Sequence, residues 1–355
     1  MKRGWAKALT ARGVDRLLWS PLILLLRLAT PIYQWFSRRH LARRKAACSA
    51  LWRATIISVG NITVGGSGKT PIVMYIAQRF IAAGKKVAIV HSGYGRKPSD
   101  DVYIEYGHGS EFSVEAIGDE VAMMARRLPS AAFAVGRDKK RITAEADRRY
   151  SPDVIILDDG YQRLDIQKNL DIVVINPQVL LERRRLFPGG VLRESVETLG
   201  RADAVFVMVG DEPENRAQSE TVIRRHNAVV PILHWRMFLD GAESGSKTIG
   251  LEQLAGMRPY LFAGLGSFAR MYDMVTRAGI RPAGVSEFDD HHEYRQADVE
   301  RLKRLAARAG ADGYLTTAKD LVKLADRAFD KPLYCLHLAV SPDDAAIFDR
   351  LIGLG

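Results

Sequence analysis

The fold of this chain is decided by residues 55–71, TIISVGNITVGGSGKTP. The β-branched run at residues 55–59 predicts a buried strand. Residues 69–83 predict a helix, and Gly84 predicts its end. A strand, a glycine-rich turn and a helix that opens with Lys-Thr form an arrangement that holds nucleotide phosphates. The helix N-terminus and the backbone N–H groups of such a turn attract anions.

The glycine-rich turn supplies the predicted nucleotide contacts. Its backbone N–H groups surround the phosphates of ATP, Lys69 reaches the β- and γ-phosphates, and Thr70 offers its hydroxyl to Mg²⁺. The residues predicted to bind the nucleotide are Gly65, Gly66, Ser67, Gly68, Lys69 and Thr70. The strict pattern G-x-x-x-x-G-K-[ST] wants glycine at position 63, where this chain has Thr63. A chance Lys-Thr after a glycine-rich turn is the alternative, and the flanking strand and helix disfavour it.

A second source of oxygen ligands follows another buried strand. Residues 154–157 are four apolar residues, and Asp158 and Asp159 come directly after them. Open α/β sheets place ligands at the carboxyl ends of their strands. A strand that simply ends in aspartate is common, but together with the phosphate loop this pair predicts a Mg²⁺ site at Thr70, Asp158 and Asp159. The sequence leaves open which of the two carboxylates contacts the metal.

The rest of the chain alternates short apolar runs with helical stretches, which indicates parallel βαβ units. Further strands are predicted at residues 86–90, 132–135, 172–175 and 204–209, then at 229–235, 259–263, 313–316 and 332–338. The chain turns polar around residues 210–230. We therefore predict an α/β fold with a P-loop NTPase-type, mostly parallel sheet over residues 54–212. A second, smaller α/β domain is predicted over residues 213–355.

The excess of positive charge is confined to the N-terminal head. The formal net charge is +11, and residues 1–53 contain twelve Lys or Arg and one acid, Asp15. The remaining 302 residues hold 40 basic and 40 acidic side chains. Composition therefore gives no reason for a basic groove in the body of the chain, and nucleic acid is not expected as a partner. The two cysteines, Cys48 and Cys335, indicate a reducing compartment.

An apolar run at residues 17–36 lies inside this basic head. As a helix it would be about 30 Å long, roughly enough to cross a bilayer. Arg27 would cost about 2.5–3.5 kcal/mol at the bilayer centre, and Pro31 is expected to interrupt the helix. Basic residues flank the run almost equally on both sides, which favours an anionic membrane surface over a crossing. We interpret residues 1–53 as a membrane-surface or re-entrant anchor helix. A spanning helix is the second choice, and a buried core helix and a cleaved signal peptide are weaker ones.

Seven segments, in order, carry a family resemblance. They are VGNITVGGSGKTP (59–71), GYGR (93–96), GDE (118–120), DDGYQ (158–162), FPGGVLRE (187–194), FDDHH (288–292) and TAKDLVKL (317–324). Each segment alone is a modest signal, but the ordered set behind a basic apolar N-terminus resembles the tetraacyldisaccharide 4′-kinases of lipid A synthesis. The resemblance extends over most of the chain, and Thr63 in the phosphate loop is itself the form that this family uses.

The resemblance implies an activity and a place in the cell. The implied reaction transfers a phosphoryl group from ATP to the 4′-hydroxyl of an acylated glucosamine disaccharide 1-phosphate, in lipopolysaccharide biosynthesis. The implied location is the cytoplasmic face of the bacterial inner membrane. The family's fold is a P-loop α/β domain joined to a smaller α/β domain, with the active site between them.

The resemblance also implies roles for individual residues. Asp119 would be the catalytic carboxylate, with His291 orienting it or sharing the proton, and Lys69 would neutralise the transferring charge. Candidates for substrate contacts are Gln162, Arg193 and Arg96. Gln162 would support the site or orient the hydroxyl, and the arginines would bind ATP or the 1-phosphate. Without the resemblance, an aspartate after Gly118 would be interpreted as a helix cap.

The chain departs from the family pattern in several places. The family usually has Ser-Arg before GYGR, and this chain has His91-Ser92 there, which removes one cation near the phosphates. The other departures are Val121, Tyr161, Gly190 and Ser195. They bear on the shape of the site more than on its chemistry.

One alternative function comes from a different class of protein. A membrane-bound P-loop switch ATPase that acts on protein partners would share the phosphate loop and the membrane head. Such proteins carry a lysine just before the paired glycines, where it senses the nucleotide of the facing subunit. This chain has Val64 at that position, which weighs against the alternative.

Overall fold

The computed structural model describes residues 20–48, 52–64, 68–94, 96, 100–182, 185–208, 213–245, 247–324 and 327–355. The strands of the first part of the chain are β1 (Thr55–Gly60), β2 (Val87–His91), β3 (Val102–Ile104), β4 (Ala131–Val135), β5 (Val154–Asp158), β6 (Leu170–Ile175) and β7 (Ala204–Met208). Its helices are α1 (Ser20–Ala46), α2 (Lys69–Ala82), α3 (Val114–Ile117), α4 (Asp119–Arg127), α5 (Lys139–Tyr150) and α6 (Pro177–Glu182). Short 3₁₀ turns lie at Gly109–Glu111 and Val196–Arg201.

The second part of the chain begins with a helix in the polar stretch. Its helices are α7 (Pro213–His226), α8 (Leu251–Ala255), α9 (Phe268–Arg277), α10 (Gln296–Arg308), α11 (Ala318–Leu321) and α12 (Ala345–Ile352). Its strands are β8 (Ile232–Ser244), β9 (Lys247–Ile249), β10 (Tyr260–Gly264), β11 (Gly284–Phe288), β12 (Tyr314–Thr317) and β13 (Leu333–Pro342).

Within the described residues, thirteen strands form one continuous sheet in the order β11-β10-β12-β13-β8-β7-β6-β1-β5-β2-β4-β3, with β9 paired to β8. Most neighbours are parallel, and the antiparallel pairs are β3–β4, β8–β13 and β8–β9. The predicted mostly parallel α/β fold is therefore confirmed. Strands β1, β2, β4, β5 and β7 are buried along nearly their whole length. This burial explains their continuous apolar runs, because helices cover both faces of a parallel sheet.

The long strand β8 joins the two parts of the sheet. Its first residues pair in parallel with β7, and its later residues pair antiparallel with β13. The polar stretch that suggested a domain boundary forms α7 next to this strand. Because β8 belongs to both parts of one sheet, the division into residues 54–212 and 213–355 stays a prediction.

The C-terminal helix α12 packs against the first part of the chain. Its Phe348 contacts Trp235 of β8 with ring centroids 5.2 Å apart, and Trp235 stacks on Phe206 of β7 at 5.0 Å. The ring of Tyr75 in α2 lies 5.2 Å from that of Trp235 and 5.4 Å from that of Phe348. Each fully buried aromatic side chain contributes about 1.5–3 kcal/mol. This cluster therefore fixes α2, the helix that follows the phosphate loop, against the second part of the chain.

The prediction that Pro31 interrupts the helix of the N-terminal head is wrong. Helix α1 continues past Pro31 and through the basic segment to Ala46. A proline inside a helix removes one hydrogen bond and costs about 3 kcal/mol. Contacts on both sides of Pro31 hold the helix in place: Gly189 N–H donates to Thr30 Oγ1 at 3.1 Å, and the rings of Tyr33 and Phe187 lie 4.9 Å apart.

Candidate active site

The site forms where several parallel strands end at the same edge of the sheet. Strand β1 leads into the phosphate loop, β2 ends at His91, and β5 ends at Asp158, which pairs in register with Val59. Gly68 stands directly before α2 with φ of 80°, a left-handed conformation that favours glycine. Of the predicted nucleotide ligands, Gly65, Gly66 and Ser67 lie outside the described residues.

The two predicted metal carboxylates lie beside the start of α2. Thr70 Oγ1 donates to Asp158 Oδ2 at 3.5 Å, and Lys69 Nζ lies 3.4 Å from Asp159 Oδ1. Arg193 Nη1 donates to Asp159 Oδ2 at 2.8 Å. The structure therefore brings together Lys69, Thr70, both aspartates and Arg193. The two aspartates differ: Asp158 faces the threonine hydroxyl, whereas Asp159 faces two cations.

Burial and neighbouring charges act differently on the two carboxyl groups. Burial raises the pKa of Asp158 above its ordinary value, although the charges of His91 and Lys69 oppose it. Burial also raises the pKa of Asp159, but the charges of Lys69 and Arg193 outweigh burial and bring this pKa well below its usual value. Asp159 is thus held as an anion.

Lys139 of α5 supports the turn that carries both aspartates. Its Nζ donates to the main-chain oxygen of Asp159 at 2.8 Å and also to that of Asp158. Asp159 has φ of 57°, which is uncommon for a residue other than glycine. These two hydrogen bonds stabilise that strained backbone. Burial lowers the pKa of Lys139 to about 8. Lys139 is not among the predicted site residues, because nothing in the local sequence marks a lysine that reaches carbonyl groups about twenty residues away.

His91 connects Asp158, one of the predicted metal carboxylates, to the helix that begins with Asp119. Gly93 N–H donates to His91 Nδ1 at 2.8 Å, so the proton of a neutral ring is on Nε2. Nε2 lies 3.2 Å from Glu120 Oε2 and 3.7 Å from Asp158 Oδ2. The hydrogen bond from His91 is the main cause that lowers the pKa of Glu120. His91, one of the departures from the family pattern, therefore occupies the site itself.

Asp119 and His291 meet across the two parts of the chain. Asp119 opens α4 and is 6% exposed, and His291 follows β11. His291 Nδ1 lies 2.9 Å from Asp119 Oδ2, although 172 residues separate them. His291 has φ of 62°, so both it and Asp159 carry backbone strain of the kind often found at functional sites. The structure brings together the pair that the resemblance implied.

Two lysines of the TAKDLVKL segment surround this pair. Lys319 Nζ lies 4.0 Å and Lys323 Nζ 3.6 Å from Asp119 Oδ2. Burial raises the pKa of Asp119, but the hydrogen bond with His291 and the charges of Lys319 and Lys323 outweigh it, and the pKa is lowered. The segment belongs to the family resemblance, but neither lysine was predicted to have a role in the site. The spacing of four residues between them, which puts both on one side of a helical turn, was the available signal.

The three residues predicted to contact the substrate lie in different surroundings. Gln162 Nε2 donates to Asn61 O at 2.9 Å and to Glu194 Oε1 at 2.6 Å, so its amide nitrogen links the residue that follows β1 to the segment that carries Arg193. Arg96 Nη1 donates to the main-chain oxygen of Asp100 at its own loop. Arg193 lies within the site, as described above. The roles of all three toward a substrate stay predictions.

Helix α1 lies against the segment that carries Arg193 and Glu194. A cleft between them is lined by Gln34, Ser37, Arg38, Leu41, Leu186, Arg193, Glu194, Ser195 and Thr198. The opposite side of the helix exposes large apolar side chains: Leu25, Leu28, Ile32, Trp35 and Phe36. None of the helices in the described part of the chain combines the length and the apolar character that crossing a bilayer requires.

Comparisons with known proteins agree with this geometry. The family model described as "Tetraacyldisaccharide-1-P 4'-kinase" (LpxK) matches residues 18–353. The chain is 33% identical over 304 residues to the tetraacyldisaccharide 4′-kinase of Desulfotalea psychrophila, covering 84% of this chain and 85% of the relative. It is 34% identical over 295 residues to the protein of that name from Geobacter sulfurreducens, covering 82% and 81%.

The fold of the chain is also similar to that of a solved structure. The crystal structure of the "apo" form of LpxK from Aquifex aeolicus in complex with ATP superposes on this chain with a TM-score of 0.73 at 27% sequence identity. The match covers 94% of this chain and 98% of that chain. The similarity therefore includes both parts of the sheet.

Proposed function

The chain belongs to the tetraacyldisaccharide-1-phosphate 4′-kinase family, and from this premise we propose how its residues carry out the reaction. The chain is an ATP-dependent kinase that phosphorylates the 4′-hydroxyl of a tetraacyldisaccharide 1-phosphate, a precursor of lipid A. The observation that carries the proposed mechanism is the meeting of Asp119 with His291, at 2.9 Å, in a cluster that Glu120 and His91 connect to Asp158.

We assign the phosphates of ATP to the phosphate loop that the sequence predicts at residues 65–70. Lys69 opens α2 and neutralises charge on the β- and γ-phosphates, where the N-terminus of α2 adds its dipole. Asp159 and Lys139 belong to the same charge cluster and hold Lys69 and the aspartate turn in position. Arg193, on the opposite side of Asp159, supplies a further cation for a phosphate group.

The oxygen atoms beside this loop fit a Mg²⁺ ion. Thr70, Asp158 and Asp159 offer a hydroxyl and two carboxylates, and Mg²⁺ prefers such hard oxygen ligands. Asp159 Oδ1 is buried and receives no hydrogen bond from the described residues. These three residues would hold the ion, which would supply positive charge against the phosphate groups of ATP. Asp158 is the carboxylate nearest to Thr70, so we assign it as the partner of that hydroxyl at the metal.

Asp119 accepts the proton of the attacking hydroxyl. The 4′-oxygen forms a bond to the γ-phosphorus while the bond from that phosphorus to the bridging oxygen of ATP breaks, and ADP leaves. The hydroxyl proton passes to Asp119, whose carboxylate is available because its pKa is lowered. His291 donates a hydrogen bond to Asp119 Oδ2 and orients the carboxylate.

We expect phosphoryl transfer to the 4′ position when the protein is incubated with γ-³²P-ATP and a tetraacyldisaccharide 1-phosphate. The measurement is the position of the label in the recovered lipid, and an acceptor already phosphorylated at the 4′ position is the control. Label at another position would contradict the assignment. Phosphate release that does not depend on the acceptor would favour the switch ATPase instead.

We propose that helix α1 holds the site at an anionic membrane surface. Its exposed apolar side chains face away from the protein, and Arg38, Arg39, Arg43 and Lys45 are exposed farther along the same helix. An apolar stripe with a basic flank lies in the interface of an anionic membrane. Because the other side of α1 contacts the segment with Arg193, this orientation brings the membrane close to the site. The cytoplasmic face of the inner membrane is the surface that provides both ATP and the lipid.

We expect Leu28→Glu combined with Ile32→Glu to weaken sedimentation of the full chain with anionic vesicles by tenfold or more. Burying each of these side chains in an apolar phase contributes about 1.5–3 kcal/mol, and a buried glutamate opposes insertion. Vesicle sedimentation measures the effect. Val229→Glu, at a residue that is 90% exposed and lies outside α1, is the matched control. Unchanged sedimentation of the double variant would place the membrane contact elsewhere.

A further inference from the structure

The ammonium group of Lys319 lies where the two parts of the chain meet. Lys319 belongs to α11, which follows β12 directly. Its Nζ donates to Asp290 Oδ1 at 2.8 Å and lies 3.8 Å from Glu120 Oε1. It also lies 3.4 Å from His291 Nε2 and 4.0 Å from Asp119 Oδ2. One cation therefore contacts both members of the Asp119–His291 pair.

The contact with His291 decides where the imidazole proton lies. An ammonium group can only donate hydrogen bonds. His291 Nε2 therefore accepts from Lys319, and the proton of the neutral ring is on Nδ1, which faces Asp119 Oδ2 at 2.9 Å. Asp290 Oδ2 would favour a proton on Nε2, but at 3.7 Å it is beyond hydrogen-bond distance. The Asp119 carboxylate, which can only accept, and Lys319, which can only donate, thus favour the same tautomer, and Lys319 does so by occupying Nε2.

The surroundings of Asp119 explain why a cation is needed there. Among the described residues, the charged and titratable groups that face the pair are Lys319 and Lys323 from the second part of the chain, Glu120 from α4, and Tyr94, whose ring lies 5.3 Å from that of His291. Asp290 and Asp320 face the two lysines. Because Asp119 is almost fully buried, its charged form would be disfavoured without nearby positive charge.

We propose that Lys319 is a positioning residue for the phosphoryl transfer: it fixes the His291 tautomer that donates to Asp119, and it supplies positive charge that keeps Asp119 ionised. This inference rests on the proposed function, in which Asp119 accepts the hydroxyl proton. Lys319 acts through the pair and does not contact the reacting atoms.

Lys323 provides an internal comparison. Its Nζ lies 3.6 Å from Asp119 Oδ2 and 3.5 Å from Asp320 Oδ1, and it makes no hydrogen bond to the described residues. Lys323 therefore supplies charge to Asp119 but no hydrogen bond to His291. Removing it changes the charge alone, whereas removing Lys319 changes both the charge and the tautomer.

The experiment measures kcat/KM against pH for Lys319→Met, Lys319→Gln and Lys323→Met in the full chain. An opposite charge at this distance shifts a carboxyl pKa by about 1–3 units. We therefore expect each of the three substitutions to move the acid limb of the profile to higher pH by about one unit or more. Lys303→Met, at a lysine of α10 that pairs with Glu300, is the control and leaves the limb in place.

A second measurement does not depend on turnover. Histidine ¹⁵N chemical shifts report which ring nitrogen carries the proton, and the signal of His291 is assigned with a His291→Gln variant. We expect the proton on Nδ1 in the unsubstituted protein and in Lys323→Met, and a shift toward Nε2–H in Lys319→Met. Lys319→Arg keeps a group that can only donate and keeps the charge, so both the Nδ1–H tautomer and the acid limb should persist.

The outcomes separate this inference from the proposed function. An unchanged acid limb and an unchanged tautomer in Lys319→Met would overturn the role of Lys319. If Asp119→Ala still turned over, the proposed base would fail, and the ¹⁵N measurement would still test the tautomer. If Lys319→Met does not fold, as thermal unfolding would show, Lys319→Gln tests the charge and Lys319→Arg, which keeps it, should retain the original acid limb.

Discussion

We expect replacement of Asp119 by Asn or Ala to lower kcat by about 10³-fold, within the 10²–10⁴ range of general acid–base catalysis, while ATP binding remains measurable. In the proposed mechanism this carboxylate accepts the hydroxyl proton, and it lies in the Asp119–His291 pair rather than among the nucleotide contacts. Turnover is measured with the lipid acceptor at saturating ATP. ATP binding is measured separately by equilibrium titration.

The Asn variant is the more informative of the two. It preserves the shape of the buried side chain, whereas Ala also leaves a cavity beside Lys319 and Lys323. Removing one partner of a buried ion pair costs about 3–5 kcal/mol, so thermal unfolding is measured for both variants. Glu115→Ala, at an exposed carboxylate of the neighbouring helix α3, is the matched control. Near-normal turnover in a folded Asn variant would remove Asp119 from the mechanism.

We expect replacement of Lys69 by Met to lower kcat/KM on the order of 10²–10³-fold, the usual effect of removing one group that stabilises transition-state charge. Lys69 is the first residue of α2, and its ammonium group lies 3.4 Å from Asp159 Oδ1. Its loss removes the cation that neutralises the transferring phosphoryl group, and it leaves the Asp159 carboxylate with Arg193 and Lys139. Steady-state kinetics with varied ATP measures the effect.

The control for Lys69 lies just beyond the same helix. Lys85 is exposed and follows the end of α2, so Lys85→Met removes the same charge without touching the site. It should leave kcat/KM unchanged. If Lys69→Met retained activity within a few-fold of the control, the phosphate loop would not act as proposed.

Both parts of the chain contribute side chains to the candidate active site. Asp119 and Glu120 come from α4, and His291, Lys319 and Lys323 come from segments that follow β11 and β12. These segments reach α4 because β8 and β13 extend a single sheet across both parts. A change that loosens the β8–β13 pairing should therefore affect the Asp119 environment without altering any residue of the phosphate loop.

Much of the site was predictable because its signals are local. The strand before the phosphate loop, the Lys69-Thr70 pair and the strand that ends in Asp158 each depend on neighbours in sequence. Parallel strands bring their carboxyl ends to one edge, so the meeting of Thr70 with Asp158 followed from the fold class alone. Asp119 and His291 were named through the family resemblance. Their spacing in sequence gave no independent reason for contact.

The sequence by itself determined the mostly parallel α/β fold, the phosphate loop and the apolar, basic head of this protein. Only the tertiary structure decided that Pro31 is accommodated within α1, that His91 joins Glu120 and Asp158, and that two lysines surround Asp119. The physical reason is the range of the interactions. Periodicity and turn chemistry act over a few residues, whereas the charge around a buried carboxylate depends on side chains about 200 residues away that the completed sheet brings within 4 Å.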